Sequence, residues 1–383
     1  MSYFSREELM ELHKFSSQQG VLSIYLNIPS KGRGRERKIK TELNSGLNEL
    51  YKKYPEDKNL SFLIEKAKET FSLIPLQELK RSIVLFLSKT PEFKWQRSFQ
   101  VPLITKFVWQ KKPFLRPLVG LLDKNPDTGI SLITSEKIKF LTWRQGFINE
   151  ELIEEIIIDK ESWRRYAGPA PSISAMSQQT STHTDQFRHR VNEQVDKFLR
   201  GIASKIPDYA KKYKWKYLIL SGENTYIETL KRALGPSWEK KIIGTLDQIL
   251  IKKPIIEIAD AVTDLIYKWK QEIEEKEIKS LINNALSGRR ACLGVTECIN
   301  SLFEQRVAHL YFCYDLELKG YQRPDGYYVL NPPEDTTNLK KEPYLIEKMI
   351  DLALENGVNI TPVEGAPAKE LAKYGGAGAF LHY

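Results

Sequence analysis

The sequence predicts a mixed protein, α/β and α+β, in three domains at 1–126, 127–279 and 280–383. Three observations carry that expectation. First, 383 residues exceed what one hydrophobic core ordinarily organises. Second, strand-sized apolar runs alternate with segments of helical period, and the alternation breaks at 168–184, rich in Gly, Pro, Ser and Thr. Third, a strand candidate at 358–363 and a helix candidate at 367–373 lead into Gly375-Gly376-Ala377-Gly378-Ala379-Phe380-Leu381. Three glycines in four residues ask for a sharp turn feeding a last buried strand. The order helix, glycine, strand favours that turn over a dinucleotide cradle, which needs strand, glycine, helix.

In the first block a helix is expected at 5–18, with Ser5 as cap and Glu8 completing a capping box. An apolar strand follows at 21–28, stopped by Pro29. Helices are expected at 39–51 and 60–71, strands at 82–87 and 102–109, and a further element at 115–122. The second block opens with strands at 129–134 and 137–143 joined as a hairpin. Glu151, Glu154 and Glu155 read as an exposed acidic helix start, and 168–184 as an unpacked polar loop. Near 182–185 a cap pattern starts a helix whose apolar face is Phe187, Val191, Val195, Phe198, Leu199 and Ile202. A strand at 215–220 and helices at 226–234 and 255–286 complete an α/β unit. The third block is expected to run as helix 292–303, strand 307–313, an aperiodic insertion 315–341, helix 343–356 and the glycine-rich ending.

Composition narrows the function. Hydrophobic content of 41% with 28% charged residues is that of a soluble globular protein. No apolar run reaches the roughly 18 residues of a membrane-spanning helix. Met1 to Glu8 carry acidic groups and no apolar core, so neither a secretory signal nor a transit peptide is read, and a cytoplasmic location without membrane association is expected. Cys292, Cys298 and Cys313 are odd in number and poorly spaced for zinc, so reduced structural thiols and no metal or other cofactor are expected. No P-loop and no Ser/His/Asp order stands out, which disfavours a nucleotide hydrolase.

A net charge of +9 argues for an acidic partner. Lys31, Arg33, Arg35, Arg37, Lys38 and Lys40 crowd around two glycines directly after the first strand. A second group is Lys106, Lys111, Lys112 and Arg116, interleaved with Phe107, Trp109 and Phe114. A third is Lys205, Lys211, Lys212, Lys214 and Lys216, mixed with Tyr209, Tyr213 and Trp215. Each group is open to two readings, a solvated face or a phosphate-binding surface; three with aromatics nearby make RNA the leading partner.

Four stretches, in order, resemble one family. Val21-Leu22-Ser23-Ile24-Tyr25-Leu26 before a proline and a basic segment is similar to the first strand of the decoding domain in eukaryotic-type and archaeal peptide-chain release factors. Asp185-Gln186-Phe187-Arg188-His189-Arg190-Val191 resembles the arginine-rich helix after their catalytic loop, where Arg188 and Arg190 suit phosphate contacts. Leu293-Gly294-Val295-Thr296-Glu297-Cys298-Ile299 resembles the helix that opens their C-terminal domain, and the glycine-rich ending resembles its close in those factors and in Pelota. The chain is thereby identified as similar to the bacterial and archaeal homologues of these factors, the Balon-like group.

That resemblance implies a release-factor/Pelota-like architecture with a ribonuclease-H-like middle domain and a ribosomal-protein-like α/β C-terminal domain. It implies an N-terminal domain in the decoding centre, a middle domain reaching towards the peptidyl-transferase centre and a C-terminal domain that docks factors. The implied partners are the ribosome, through rRNA and tRNA, and a translational GTPase. The implied roles are A-site occupation in hibernation or rescue, or peptide release. Release factors carry Gly-Gly-Gln in the middle-domain loop; here the loop reads Ala175-Met176-Ser177-Gln178-Gln179-Thr180. A non-glycine residue at a glycine-only backbone conformation costs on the order of 1–2 kcal/mol. Three readings of Gln178 and Gln179 therefore stand open: catalysis through a retained amide, contact with ribosomal RNA, and no role.

Overall fold

The computed structural model describes residues 3–28, 35–75, 80–155, 176–246, 250–331 and 338–382, with the backbone alone for 35 and 176–192. By compactness the chain forms two units, one of residues 1–125 with 270–383 and one of residues 126–269.

The first unit opens with α1 (Arg6–Lys14), capped as expected by Ser5 Oγ, which accepts from Glu8 N at 3.2 Å. The Glu8 carboxylate does not close the expected box. It accepts instead from Trp95 Nε1 at 3.1 Å and from Arg97. Four antiparallel strands follow, β1 (Val21–Asn27), β2 (Ser82–Ser88), β3 (Phe93–Phe99) and β4 (Lys106–Gln110), in the order β3-β2-β1-β4. Interior position explains why β1 is apolar at nearly every residue: both its edges are paired and both its faces are covered. On one face Leu22, Ile24 and Leu26 meet Ile39, Leu43, Leu47 and Leu50 of α2 (Arg35–Lys53) and Leu60, Leu63 and Ile64 of α3 (Lys58–Ser72). Those helix residues recur at the three- and four-residue spacing that makes one apolar stripe. Tyr25 faces the other way into Phe86 and Phe114. Strand β3 escapes a hydrophobic reading because Arg97 interrupts the alternating Phe93, Trp95 and Phe99 and polar residues fill the other face, although it pairs with β2 along its whole length. Helix α4 (Arg116–Lys124) then packs on the C-terminal part of the same unit, where a Cβ on Gly120 would lie 3.2 Å from Pro362.

The C-terminal part of this unit contains the sheet β10-β16-β11-β15, built from β10 (Ala291–Leu293), β11 (Val307–Cys313), β15 (Asn359–Val363) and β16 (Ala377–Leu381). Strands β11 and β15 run parallel, and β16 is antiparallel to both of its neighbours. The expected last buried strand is therefore present and lies inside the sheet. Gly375 and Gly376 reach it through positive φ of 86° and 74°, conformations that side chains rarely adopt. A Cβ on Gly378 would stand 2.7 Å from Leu281. A helix expected over 292–303 is divided: 291–293 pairs with β16, and the helix runs from Val295 to Phe303, with Gly294 between them at φ 87°. Within the expected aperiodic insertion β12 (Gly320–Gln322), β13 (Tyr328–Val329) and β14 (Lys340–Glu342) form a small antiparallel sheet.

The second unit has the sheet order β7-β6-β5-β8-β9. Strands β5 (Thr128–Ile133), β6 (Lys137–Arg144) and β7 (Phe147–Glu155) form an antiparallel meander, and β8 (Tyr217–Ser221) and β9 (Ile242–Leu246) lie parallel to β5. This mixed order agrees with the ribonuclease-H-like arrangement expected. Glu151, Glu154 and Glu155, read from the sequence as a helix start, belong to β7: Glu154 and Glu155 pair with Ile138 and Lys137 of β6, and Glu151 falls at the register shift between Phe140 and Leu141. Helix α5 (Met176–Tyr213) places Val195, Leu199, Ile202 and Ile206 against Leu218 and Leu220, together with Ile227 and Leu230 of α6 (Asn224–Leu234). On the opposite face Tyr217 meets Trp269 at 4.7 Å between ring centroids. That tryptophan lies on the long helix Ile255–Leu286, whose residues from 270 onward belong to the first unit, where Ile278, Leu281 and Ile282 join Tyr311, Val363 and Leu371 in one core.

Candidate nucleic-acid interface

The first basic group begins outside the described residues: Lys31 and Arg33 lie there, and Arg35 is described only as the backbone start of α2. Arg37, Lys38 and Lys40 are exposed on the first turns of that helix. Lys40 lies 2.7 Å from Glu36, one turn back. Such an exposed pair is worth less than about 1 kcal/mol, so it leaves Lys40 available to a stronger anion. Ile39 and Leu43 anchor the opposite face of the helix in the core, which fixes the direction in which the cations project.

The second group is not an open surface. Lys106 lies 3.1 Å from Glu317, Lys112 lies 2.8 Å from Asp351, and Arg116 lies 2.5 Å from Glu347. Its aromatics are no more available for stacking: Trp109 is buried with Nε1 donating to Asp57 at 2.9 Å, Phe114 is buried, and Phe107 packs against the core. Arg116 is the anchor, with its side chain 5% exposed. It donates to the carbonyls of Tyr314 and Leu316 as well as to Glu347, and lies over the rings of Phe114 and Phe312. Burial pushes the Glu347 carboxyl up in pKa and the guanidinium pulls it back. For Asp351 burial also pushes up, but hydrogen bonds from His13 and Lys112 outweigh it and the pKa lies below the usual value. The sequence held a signal for this interface: Glu347, Asp351 and Glu355 stand four apart on one face of the helix Leu345–Glu355, and His13 reaches the latter two at 3.0 and 3.6 Å.

Between these ion pairs lies a cleft of about 630 Å³ whose walls include Lys53, Tyr54, Lys106, Lys319 and Tyr344. Its cations face Glu317, whose carboxyl is held below its usual pKa chiefly by the hydrogen bond from Lys106. Burial, then the hydrogen bond with Tyr54, pushes Tyr344 up to about 12.

The third group divides. Tyr213 and Trp215 stack at 5.4 Å, Trp215 Nε1 donates to Thr142 at 2.7 Å, and the indole fills the space over Gly129, where a Cβ would lie 2.5 Å away. These rings are core. Lys205 bonds Glu154 at 3.0 Å, and Tyr209 donates to the same carboxylate. Lys211, Lys212, Lys214 and Lys216 remain exposed.

The loop expected at 168–184 is described only from Met176, and there the backbone is helical. The helix thus starts before the cap expected at 182–185. No glycine or proline falls between Met176 and Arg200, so nothing in the sequence stops it. Gln178 and Gln179 sit in its first turn, with Arg188 and Arg190 further along; all four side chains lie outside the described residues. No cluster of His, Cys, Asp or Glu that could hold a metal ion occurs among the described residues, and no described helix is long and apolar enough to cross a membrane.

Residues 126–264 match the family described as bacterial archaeo-eukaryotic release factor family 5. The uncharacterized protein YocB of Bacillus subtilis (strain 168) is 25% identical over 232 residues, spanning 58% of this chain and 85% of that protein. Among solved structures, Archaeoglobus fulgidus Pelota aligns with 100% of this chain and 94% of its own, at 13% identity and a TM-score of 0.40. Dom34 of S. cerevisiae aligns with 100% and 94%, at 9% identity and a TM-score of 0.38. The family match spans the whole sheet of the second unit and the helix that carries Gln178 and Gln179, so it is this unit that is similar to the bacterial archaeo-eukaryotic release factors.

Proposed function

We propose that the protein is a cytoplasmic translation factor that occupies the ribosomal A site in hibernation or rescue, without efficient hydrolysis of peptidyl-tRNA. The observation that carries this reading is the release-factor family match over a segment in which both loop glycines are replaced and the backbone is helical from Met176. Ester hydrolysis needs a water held beside the ester carbon by a backbone that can approach closely. A displacement of about 1 Å costs on the order of a hundredfold in rate. Met176, Ser177, Gln178 and Gln179 lack the glycines that such an approach needs, while Ser and Gln are residue types that suit hydrogen bonds to RNA phosphate and sugar. The implied partners are rRNA and tRNA at the decoding and peptidyl-transferase centres, with a translational GTPase as delivery factor. The second reading, peptide release through Gln178 or Gln179, is favoured by the retained amides alone.

Ribosomes carrying labelled peptidyl-tRNA separate the two. The expected outcome is co-sedimentation of the protein with no label released above buffer. Release that disappears in the Gln178→Ala, Gln179→Ala double variant would establish the hydrolase reading instead. Absence of co-sedimentation even at low salt would sink both.

The cations of α2 give a second check. If Arg37 and Lys38 meet phosphates, changing both to Ala weakens ribosome retention and lowers the slope of log affinity against log salt by about 1–2. An unchanged slope would assign these residues to a solvated face.

A further inference from the structure

We infer that Cys292 and Cys298 form a thiol pair that oxidises reversibly to an intramolecular disulfide, with peroxide as the class of oxidant. Their sulfurs lie 3.7 Å apart, in van der Waals contact and short of a bond. Three features of the fold set up this contact. Cys292 ends its side chain under the helix Val295–Phe303, because Gly294 at φ 87° turns the chain straight from β10 into that helix. Cys298 lies on the inner face of the helix beside the buried Val295, Ile299 and Leu302. Ser301, one turn further along the helix, places its hydroxyl 3.8 Å from the Cys292 sulfur as a donor.

The two thiols differ as an attacking and a resolving cysteine must. Cys292 is only part-buried, and its sulfur faces the Cys298 thiol and the Ser301 hydroxyl, groups that favour its thiolate. Cys298 is fully buried and its thiol is held protonated by that burial. Cys313 stands apart: its thiol donates to the Ala368 carbonyl at 3.2 Å, and burial pushes it up to about 11.

The chemistry balances as follows. The Cys292 thiolate attacks one peroxide oxygen, the O–O bond breaks, and hydroxide leaves and takes up a proton, giving Cys292 sulfenic acid and one water. The Cys298 sulfur then attacks the sulfenic sulfur, the S–O bond breaks, and a second water leaves with the Cys298 proton. Two thiols are oxidised and one peroxide is reduced to two waters. The product staples β10 to the following helix at the turn where Gly294 N donates to Ala377 O at 2.8 Å, beside the glycines that lead into β16. Thiol reductants reverse it by exchange.

The test uses the full chain, reduced, freed of reductant and exposed to hydrogen peroxide, then unfolded and alkylated. The expected result is loss of two alkylatable thiols, recovery of both with dithiothreitol, and a non-reducing peptide map that joins the segments holding Cys292 and Cys298 while Cys313 stays alkylated. The Cys298→Ser variant should instead trap a dimedone adduct on Cys292. Alkylation of both Cys292 and Cys298 after peroxide, or linkage through Cys313, would overturn the inference. Because the wild-type map decides this by itself, the proposal stays testable even where Cys298→Ser fails to fold.

Discussion

Arg116→Ala should lower the unfolding free energy of the first unit by about 3–5 kcal/mol, the range found when one partner of a buried ion pair is removed. The reason lies in what is left behind. Glu347 would keep a buried carboxylate with its guanidinium gone, and the carbonyls of Tyr314 and Leu316 would lose their donor. Arg116→Lys should recover only part of the loss, since a point charge cannot serve three acceptors in the fixed fork that Arg supplies. An Arg116→Met, Glu347→Leu double variant should be more stable than Arg116→Ala, because the stranded charge is removed together with its partner. Two unpaired carbonyls, at about 1–3 kcal/mol each, should keep it below the wild type. Urea unfolding of the four proteins checks the series. A loss under about 1 kcal/mol for Arg116→Ala would mean that water reaches Glu347 and that the clamp is weak.

The second large effect concerns Glu274. Its side chain is buried, one carboxyl oxygen has no hydrogen-bond partner among the described residues, and burial raises its pKa to about 7. Lys124 and Lys270 pull that value down, while Asp123 and Glu364 push it up. The folded state therefore holds a proton that the unfolded chain releases near the ordinary glutamate value, so this group's contribution is full below that value and is lost as pH rises towards 7. Nearby His309, pushed down to about 4 by burial, works in the opposite sense: the unfolded chain takes up its proton first, so acid destabilises the fold between about 6.5 and 4. The two contributions therefore oppose each other between about 4.5 and 6.5. Glu274→Gln removes one of them. The variant should match the wild type near pH 4.5 and exceed it by on the order of 3 kcal/mol at pH 8. A difference between the two proteins that does not change with pH would show that Glu274 titrates normally.

How much of this was legible in the sequence depends on whether the signal was local. Strands β1, β2, β5, β6, β11 and β15 are apolar enough to be read directly, and the glycine-rich ending announced β16 through the backbone it requires. Strand β3 was hidden by its charges, and β7 was read as helix, because in both cases the partner strand and not the residue pattern decides the state. The basic groups show the same limit for the site. Charge density found Lys106, Lys112 and Arg116, but whether a cation meets phosphate or carboxylate depends on what the fold brings opposite, and Glu317, Asp351 and Glu347 lie more than two hundred residues away. Only the four-residue spacing of Glu347, Asp351 and Glu355 hinted that an acidic face was waiting. Aromatics between lysines misled in the third group for a related reason, since Trp215 lies over a glycine that only the sheet register places beneath it.

The interior position of β16 has a consequence for synthesis. In the C-terminal sheet β16 lies between β10 and β11 although it follows both in the chain. A ribosome extends the polypeptide from its N-terminus, so β10 and β11 emerge with the edges they will share with β16 still unpaired. Until residues 377–381 arrive, those edges and the apolar faces beside them have no native cover. Closure of this sheet therefore has to wait for β16, and in the interval the edges of β10 and β11 are open to mispairing.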